Sequence, residues 1–190
     1  MRSETAELVL DVAQSLAQTR GFKGFSFRDL AAAIGVKSAS IHYHFPSKAD
    51  LGVALVRRYR EGFEDSLREA EARGAAVPGR LKAFVEIFRA SLDEDRLCLC
   101  GMLGAERDSL PPDVAAEVRD FFIFCEDWLA TQMKQGRQDG CLDFTGAPQV
   151  PALQLLALLE GGLVVARSLG DPARFDKATA CFLRGLKSGG

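Results

Sequence analysis

The chain has 190 residues, 47% of them apolar and 26% charged, which suits a soluble globular protein of one large domain or two small ones. No apolar run approaches the roughly 20 residues of a membrane span, Glu4, Glu7 and Asp11 interrupt the N-terminal apolar pattern where a secretory signal would be uncharged, and five cysteines, an odd number, argue for reduced thiols over a disulfide framework. The formal charge of −2 divides unevenly, with nine Lys/Arg against five Asp/Glu in residues 1–60 and fifteen against twenty-one in residues 61–190, so a polyanionic partner would meet one end only.

A cytoplasmic location is expected, and zinc is not, because neither Cys-x-x-Cys nor His-x-x-x-His occurs. No cofactor is expected either. In Thr5–Ala17 the residues Ala6, Val9, Leu10, Ala13, Leu16 and Ala17 recur at three- and four-residue steps, one face of a helix that Gly21 ends. "GFKGFS" reads as a loop, with Ser26 where an N-cap belongs. A second, short helix runs from Phe27 through Leu30, Ala31 and Ile34 to Gly35. Ser38 is expected to cap a third, "SASIHYHF", which Pro46 ends. Ser47 caps a fourth, long helix from Lys48 to Arg73, with Arg57, Arg58 and Arg60 on a solvated face. Further helices are expected over Pro78–Leu92, Leu97–Arg107, Pro112–Gln138 and Val150–Ser168, and Asp171 is expected to cap the last, "DPARFDKATACFLRGLK". Alternating β-branched runs and internal repeats are lacking. The fold class is therefore all-α, with about nine helices.

The chemistry gathers around the third helix. Two short helices joined by the tight turn "IGVK", behind a packing helix, make a helix-turn-helix unit whose second short helix is presented to the DNA major groove. Ile41 and Phe45, four apart, point inward. Ser38, Ala39, Ser40, His42, Tyr43 and His44 are left for the other faces. Small residues at 38–40 let the start of the helix approach base edges and phosphates, His42 and Tyr43 can donate to phosphate oxygens, and Lys48 adds a full charge. An i, i+2 histidine pair points to opposite helix faces, so no metal site is expected, and His44 reads as a structural group between helices.

"FSFRDLAAAIGVKSASIHYHFPSKADL" resembles the DNA-binding signature of the TetR family of bacterial transcriptional regulators. The likeness implies an N-terminal helix-turn-helix DNA-binding domain over residues 1–47 and a helical effector-binding and dimerisation domain over residues 48–190. It implies that Ser26 and Arg28 touch phosphate and sometimes a base, that Lys37, Ser38, Ala39 and Ser40 form the reading edge, and that His42, Tyr43 and Lys48 anchor phosphates. Among these residues Arg28 alone can grip guanine O6/N7 with two bonds. One departure stands out: the family usually has Tyr where this chain has His42, and a variable residue where it has Tyr43.

One reading head gives too little contact for specific affinity, so two copies are expected on an inverted-repeat, double-stranded DNA operator with half-sites about 34–36 Å apart. "PALQLLALLEGGLVVARSLG" is apolar on more faces than one small domain covers. Gly161 and Gly162 would let a partner helix approach. With Phe175, Ala178, Phe182, Leu183 and Leu186 of the last helix, this segment would form a homodimer interface over residues 150–187. The alternative is that both helices complete the protomer's own core.

The resemblance also implies a small effector among the middle helices. Its candidate lining is Phe84, Phe88, Leu92, Met102, Phe121, Phe122, Cys125 and Trp128, which suggests an apolar or aromatic molecule but is also what plain core looks like. Glu160, inside an apolar run, would meet a polar effector group or an Arg of the second copy. Cys98 and Cys100 are candidate sensor thiols if Arg96 or Arg107 activates one of them, against the plainer reading of buried apolar residues. The function expected is a sequence-specific DNA-binding regulator, not an enzyme, and most simply a repressor released by its effector. Alternatives are the same fold acting as a cysteine-based redox or electrophile sensor, an all-helical enzyme whose N-terminal unit is scaffold, and a helical protein-protein adaptor working through residues 150–168.

Overall fold

The structure, a computed structural model, describes residues 3–186. Among them it forms α1 (Glu4–Arg20), α2 (Phe27–Ile34), α3 (Ser38–His44), α4 (Lys48–Ala72), α5 (Val77–Asp93), α6 (Leu99–Ala105), α7 (Pro112–Gln138), α8 (Gln149–Ser168) and α9 (Ala173–Gly185), with no strand. The all-α expectation is borne out, and the differences lie at helix ends. α1 continues past Ala17 to Arg20 before Gly21 closes it. Ser26 and Ser47 cap as expected, each reciprocated by an aspartate three residues on: Asp29 and Asp50 accept from the backbone N–H of Ser26 (2.7 Å) and of Ser47 (2.9 Å). Ser38 does not cap α3. Lys37 holds the extended cap position, and Ser38 is already helical because the chain re-enters the helix one residue earlier. Asp171 does not cap α9 either; Pro172 takes that position and the Asp171 carboxylate pairs with Arg174 (3.2 Å) instead.

Packing gathers these helices into two compact units. The first holds α1–α3, α4 as far as Glu61, α6, and α7 as far as Phe121. Its centre is Val9, Leu10 and Ala13 of α1, Leu30 of α2, Ile41 of α3 and Leu51 and Leu55 of α4, all without solvent exposure. Gly52 is a required absence of side chain, since a Cβ there would lie 2.7 Å from Val114 and 2.9 Å from Phe22. Arg58 corrects the expectation of a solvated face. Its guanidinium is mostly covered and donates to Glu7 (3.1 Å), Asp11 (2.7 Å) and Gln14 (3.2 Å), binding α4 to α1, while Arg57 pairs with Glu117 of α7 (2.6 Å).

The second unit holds α5, α8, α9 and the remaining parts of α4 and α7. Its core is aromatic. Phe63 meets Phe84 (5.2 Å) and Phe88 (5.7 Å) edge to face, and Phe84 stacks on Trp128 (5.3 Å), geometries that add about 0.5–1.5 kcal/mol per pair beyond area burial. α8 is long and apolar enough to cross a membrane by length and composition, contrary to the expectation that no run is. Here it is a packing helix: Leu155, Leu159 and Leu163 are fully buried against the unit, and Phe175 of α9 completes that side. Its other side, Val150, Leu153, Ala157, Gly161, Val164 and Val165, is open to solvent.

Candidate nucleic-acid interface

The turn between α2 and α3 depends on Gly35. It adopts the left-handed conformation (φ 79°, ψ 29°), and its N–H and that of Val36 both reach the Ala31 carbonyl (3.0 and 3.1 Å), closing α2 in a way that a residue with a Cβ resists. The chain passes through an extended Lys37 and turns back into helix at once. Ile41 and Phe45 then fix α3 to the unit from below, as their spacing predicts. What lies between them is thereby turned outward. Lys37, Ser38, Ala39, Ser40, His42 and Tyr43 are all exposed, as are Ser26 and Arg28 at the start of α2. Tyr43, at 83% exposure, is the most exposed large hydrophobic side chain on this surface. The Phe27 ring lies against His42 (4.7 Å), so the start of α2 and the outer side of α3 form one patch.

Three basic residues differ in how available they are. Arg28 and Lys37 project freely into solvent. Lys48 is half-buried: its ammonium donates to the Phe25 carbonyl and sits over the rings of Phe22 (4.9 Å) and Phe25 (4.4 Å). Burial holds its pKa below the ordinary lysine value, partly opposed by the charges of Glu106 and Asp29. Lys48 is therefore a clamp on the α1–α2 loop that has two remaining donors for an anion. Asp29 is held below its ordinary value by the Ser26 side-chain and backbone hydrogen bonds, with Arg20 and Arg28 adding, and so keeps the α2 cap charged.

The two histidines divide between roles. His44 is half-buried, its Nε2 3.3 Å from the Ser3 hydroxyl that caps α1. This fits the structural role expected of it. His42 Nδ1 lies 3.4 Å from the Pro46 carbonyl, and a carbonyl only accepts, so a hydrogen bond here requires the tautomer with the proton on Nδ1. The Nε2 atom of neutral His42 is then an acceptor, and it can donate to a phosphate only when the ring is doubly protonated. Tyr43, whose hydroxyl is unencumbered in solvent, needs no such change.

The residues expected around an effector are less united. Phe84, Phe88, Phe122, Cys125, Trp128 and Glu160 fall in the second unit, Met102 and Phe121 in the first. Phe84, Phe88, Phe121 and Cys125 are fully or nearly fully buried, the other four half-buried. Trp128 donates from Nε1 to Glu71 (3.2 Å). Cys98 occupies the N-cap position just before α6, with no side-chain cap bond, so the helix expected over Leu97–Arg107 does not hold both thiols. Both are fully buried, with the Tyr59 hydroxyl donating to Cys98 Sγ (3.7 Å).

One contact near this surface joins residues far apart in the chain. The Glu106 carboxylate, at the end of α6, accepts from the Lys23 N–H (3.2 Å) and occupies the space where a Cβ on Gly21 would be. Gly21 has φ +80°. By sequence the glycine is only a helix stop, and nothing local to it announces a carboxylate 85 residues away.

Comparison with known proteins agrees with this geometry. Residues 9–55 match the family described as "Bacterial regulatory proteins, tetR family", and residues 77–182 match "Tetracyclin repressor-like, C-terminal domain". The chain is 26% identical over 168 residues to the HTH-type transcriptional repressor NemR of Escherichia coli (strain K12), covering 86% of this chain and 84% of that one. Among solved structures it resembles a TetR-family transcriptional regulator from Agrobacterium tumefaciens (TM-score 0.92, 32% identity, 97% of this chain and 98% of that one). A TetR transcriptional regulator from Legionella pneumophila is similar too (TM-score 0.89, 31% identity, 98% and 99%).

Proposed function

Because this chain belongs to the TetR family, whose members are DNA-binding transcriptional regulators and not enzymes, we propose that it is a repressor released from an inverted-repeat operator by a small apolar or aromatic effector. The outward surface of α3, held from below by Ile41 and Phe45, carries the reading. In it Ser38, Ala39 and Ser40 form the edge that enters the major groove, with Lys37 beside them. Arg28 reads guanine, Ser26 and Tyr43 hold phosphates, Lys48 contributes its remaining donors, and His42 joins them in its charged form.

Family members form dimers and bind small-molecule effectors. In this chain the second copy is taken to dock on the exposed side of α8 together with Ala178 and Phe182 of α9. Phe175 and Leu186 belong to the protomer's own core, and Lys187 lies outside the described residues. The effector meets the aromatic set around Phe84 and Trp128, with Glu160 for a polar group. It acts by favouring a dimer whose two reading heads have the wrong separation, a coupling of about 1–3 kcal/mol. α4, continuous from Lys48 to Ala72, is the segment common to reading head and effector domain.

Selection of bound duplexes from random DNA tests the proposal, followed by light scattering of the free protein and a salt titration. An enriched palindrome, a dimer in solution and affinity falling steeply with salt support it. Binding with no sequence preference removes the operator, and a monomer with a bare α8 favours a protein-docking adaptor. The thiol-sensor variant has less behind it, since a reagent must first reach Cys98 or Cys100 through packed core. Thiol titration with Cys98→Ser and Cys100→Ser decides it by whether operator release changes.

A further inference from the structure

Between α5 and α9 lies a groove of about 540 Å³, within the range of small-molecule sites, and none of the DNA-facing or effector residues above lines it. The two helices run antiparallel along it. Arg89, near the end of α5, pairs with Asp176 at the start of α9 (2.8 Å), whereas Pro78 at the start of α5 shares the groove with Arg184 at the end of α9. From Asp176 to Arg184 the groove follows eight residues of helix, about 12 Å.

The floor and the rim differ in chemistry. Leu81, Val85 and Leu142 make an apolar floor with Leu183, and the Thr179 hydroxyl is already committed to the Phe175 carbonyl (2.9 Å). At one end Arg89 is spoken for, because it holds both Asp93 (2.5 Å) and Asp176, one cation against two carboxylates, so that end offers an anion no free charge. Elsewhere on the rim stand Lys82, Glu86 and Arg184. Lys82 and Arg184 have no ion pair among the described residues; Lys82 stands on the α5 rim one turn from Glu86, and Arg184 stands on the α9 rim of the same apolar trough. We propose that this groove binds an amphipathic anion, its carboxylate held by Arg184 and Lys82 and its apolar chain laid along Leu81, Val85 and Leu183. Arg184 supplies the fork that matches a carboxylate with two bonds, and the trough's length suits a medium-length alkyl chain.

Calorimetric titration of the full-length protein, without DNA, tests this with decanoate, decan-1-ol and butyrate as probes. Decanoate should bind at one site per protomer; decan-1-ol, lacking the charge, should bind about tenfold more weakly, and butyrate, lacking the chain, not measurably. Arg184→Gln should weaken decanoate about tenfold and Lys82→Gln severalfold, both being surface changes that leave the fold intact. Ala180→Trp should fill the trough and abolish binding. The proposal fails if decanoate does not bind at millimolar concentration, or if its affinity survives both Arg184→Gln and Ala180→Trp. It also fails if Ala180→Trp disperses the dimer while decanoate binds nowhere, which would give the groove to a second copy. None of these readouts involves an operator, so they stand or fall apart from the DNA-binding proposal.

Discussion

Two adjacent glycines on α8 have different surroundings within the protomer, and the difference tests the proposed dimer face. A Cβ added at Gly162 would lie 3.1 Å from the Phe175 ring of its own chain, whereas one added at Gly161 meets nothing within 4 Å. Gly161→Leu should therefore help the protomer helix, by about 0.8–1 kcal/mol of propensity. In a dimer built on this side of α8, the same leucine overfills a close helix crossing at about 1–3 kcal/mol. Two-fold symmetry places it there twice, so the interface loses about 2–6 kcal/mol, roughly a 30- to 20,000-fold rise in the dimer dissociation constant. Sedimentation equilibrium across a concentration series reads that change, and circular dichroism at the lowest concentration checks that helix content is kept, because melting temperature is linked to dimerisation. Operator affinity should fall with it. Gly162→Leu is the control, expected to disturb the protomer through Phe175. A Gly161→Leu protein that stays dimeric with undiminished operator binding refutes the assignment of this side to the second copy.

Arg28→Ala should change which duplexes are selected, whereas Lys48→Ala should weaken all of them and lower the salt slope by about 1; an unchanged preference takes Arg28 out of base reading. Gly21→Ala should destabilise the protein by about 1–3 kcal/mol in denaturant titration, from the positive φ and the displaced Glu106 carboxylate, and a loss below ~0.5 kcal/mol would mean that both relax freely. Asp29 has a lowered pKa, so its contribution to stability is present above its unfolded value of 3.8 and is lost as pH falls through the folded one. Thermal melts between pH 2 and pH 6 should show that loss in the native chain and a reduced one in Ser26→Ala; superimposable profiles would disconnect the cap from the titration.

The reading head was legible because its signals are local. Gly35 needs only its own φ, the Ser26 and Ser47 caps need an aspartate three residues on, and Ile41 and Phe45 declare the buried side of α3 by their spacing. Ser38 was misread for the same reason, since a serine near a helix start looks like a cap wherever the helix begins. Distant partners left no such trace. Arg58 is charged and sits among other arginines, and only the fold brings Glu7 and Asp11 to it. By sequence Lys48 is an expected phosphate anchor, and its hold on the Phe25 carbonyl arises from a loop 23 residues earlier. Gly161 and Gly162 are equivalent on paper and differ only by the 100° of helix rotation that turns one toward Phe175.

The magnitudes also decide how an effector could release DNA under the proposed function. Leu10, Leu30 and Ile41 are fully buried in the unit that carries the reading surface, and loosening even one such side chain costs about 2–5 kcal/mol. The Ser26–Asp29 cap, the Arg58 network and the Lys48 clamp each add to what must be undone. A coupling of about 1–3 kcal/mol is too small to dismantle that head. It is large enough to choose between two dimer geometries of nearly equal energy, because separation of the heads changes without unpacking either core. Release by spacing, with each head left whole, is therefore the form of control this chain's packing favours. Its signature is that effector should abolish binding to the two-half-site operator while barely changing the weak affinity for a single half-site. If effector weakens both equally, the head itself is being remodelled and the spacing account is wrong.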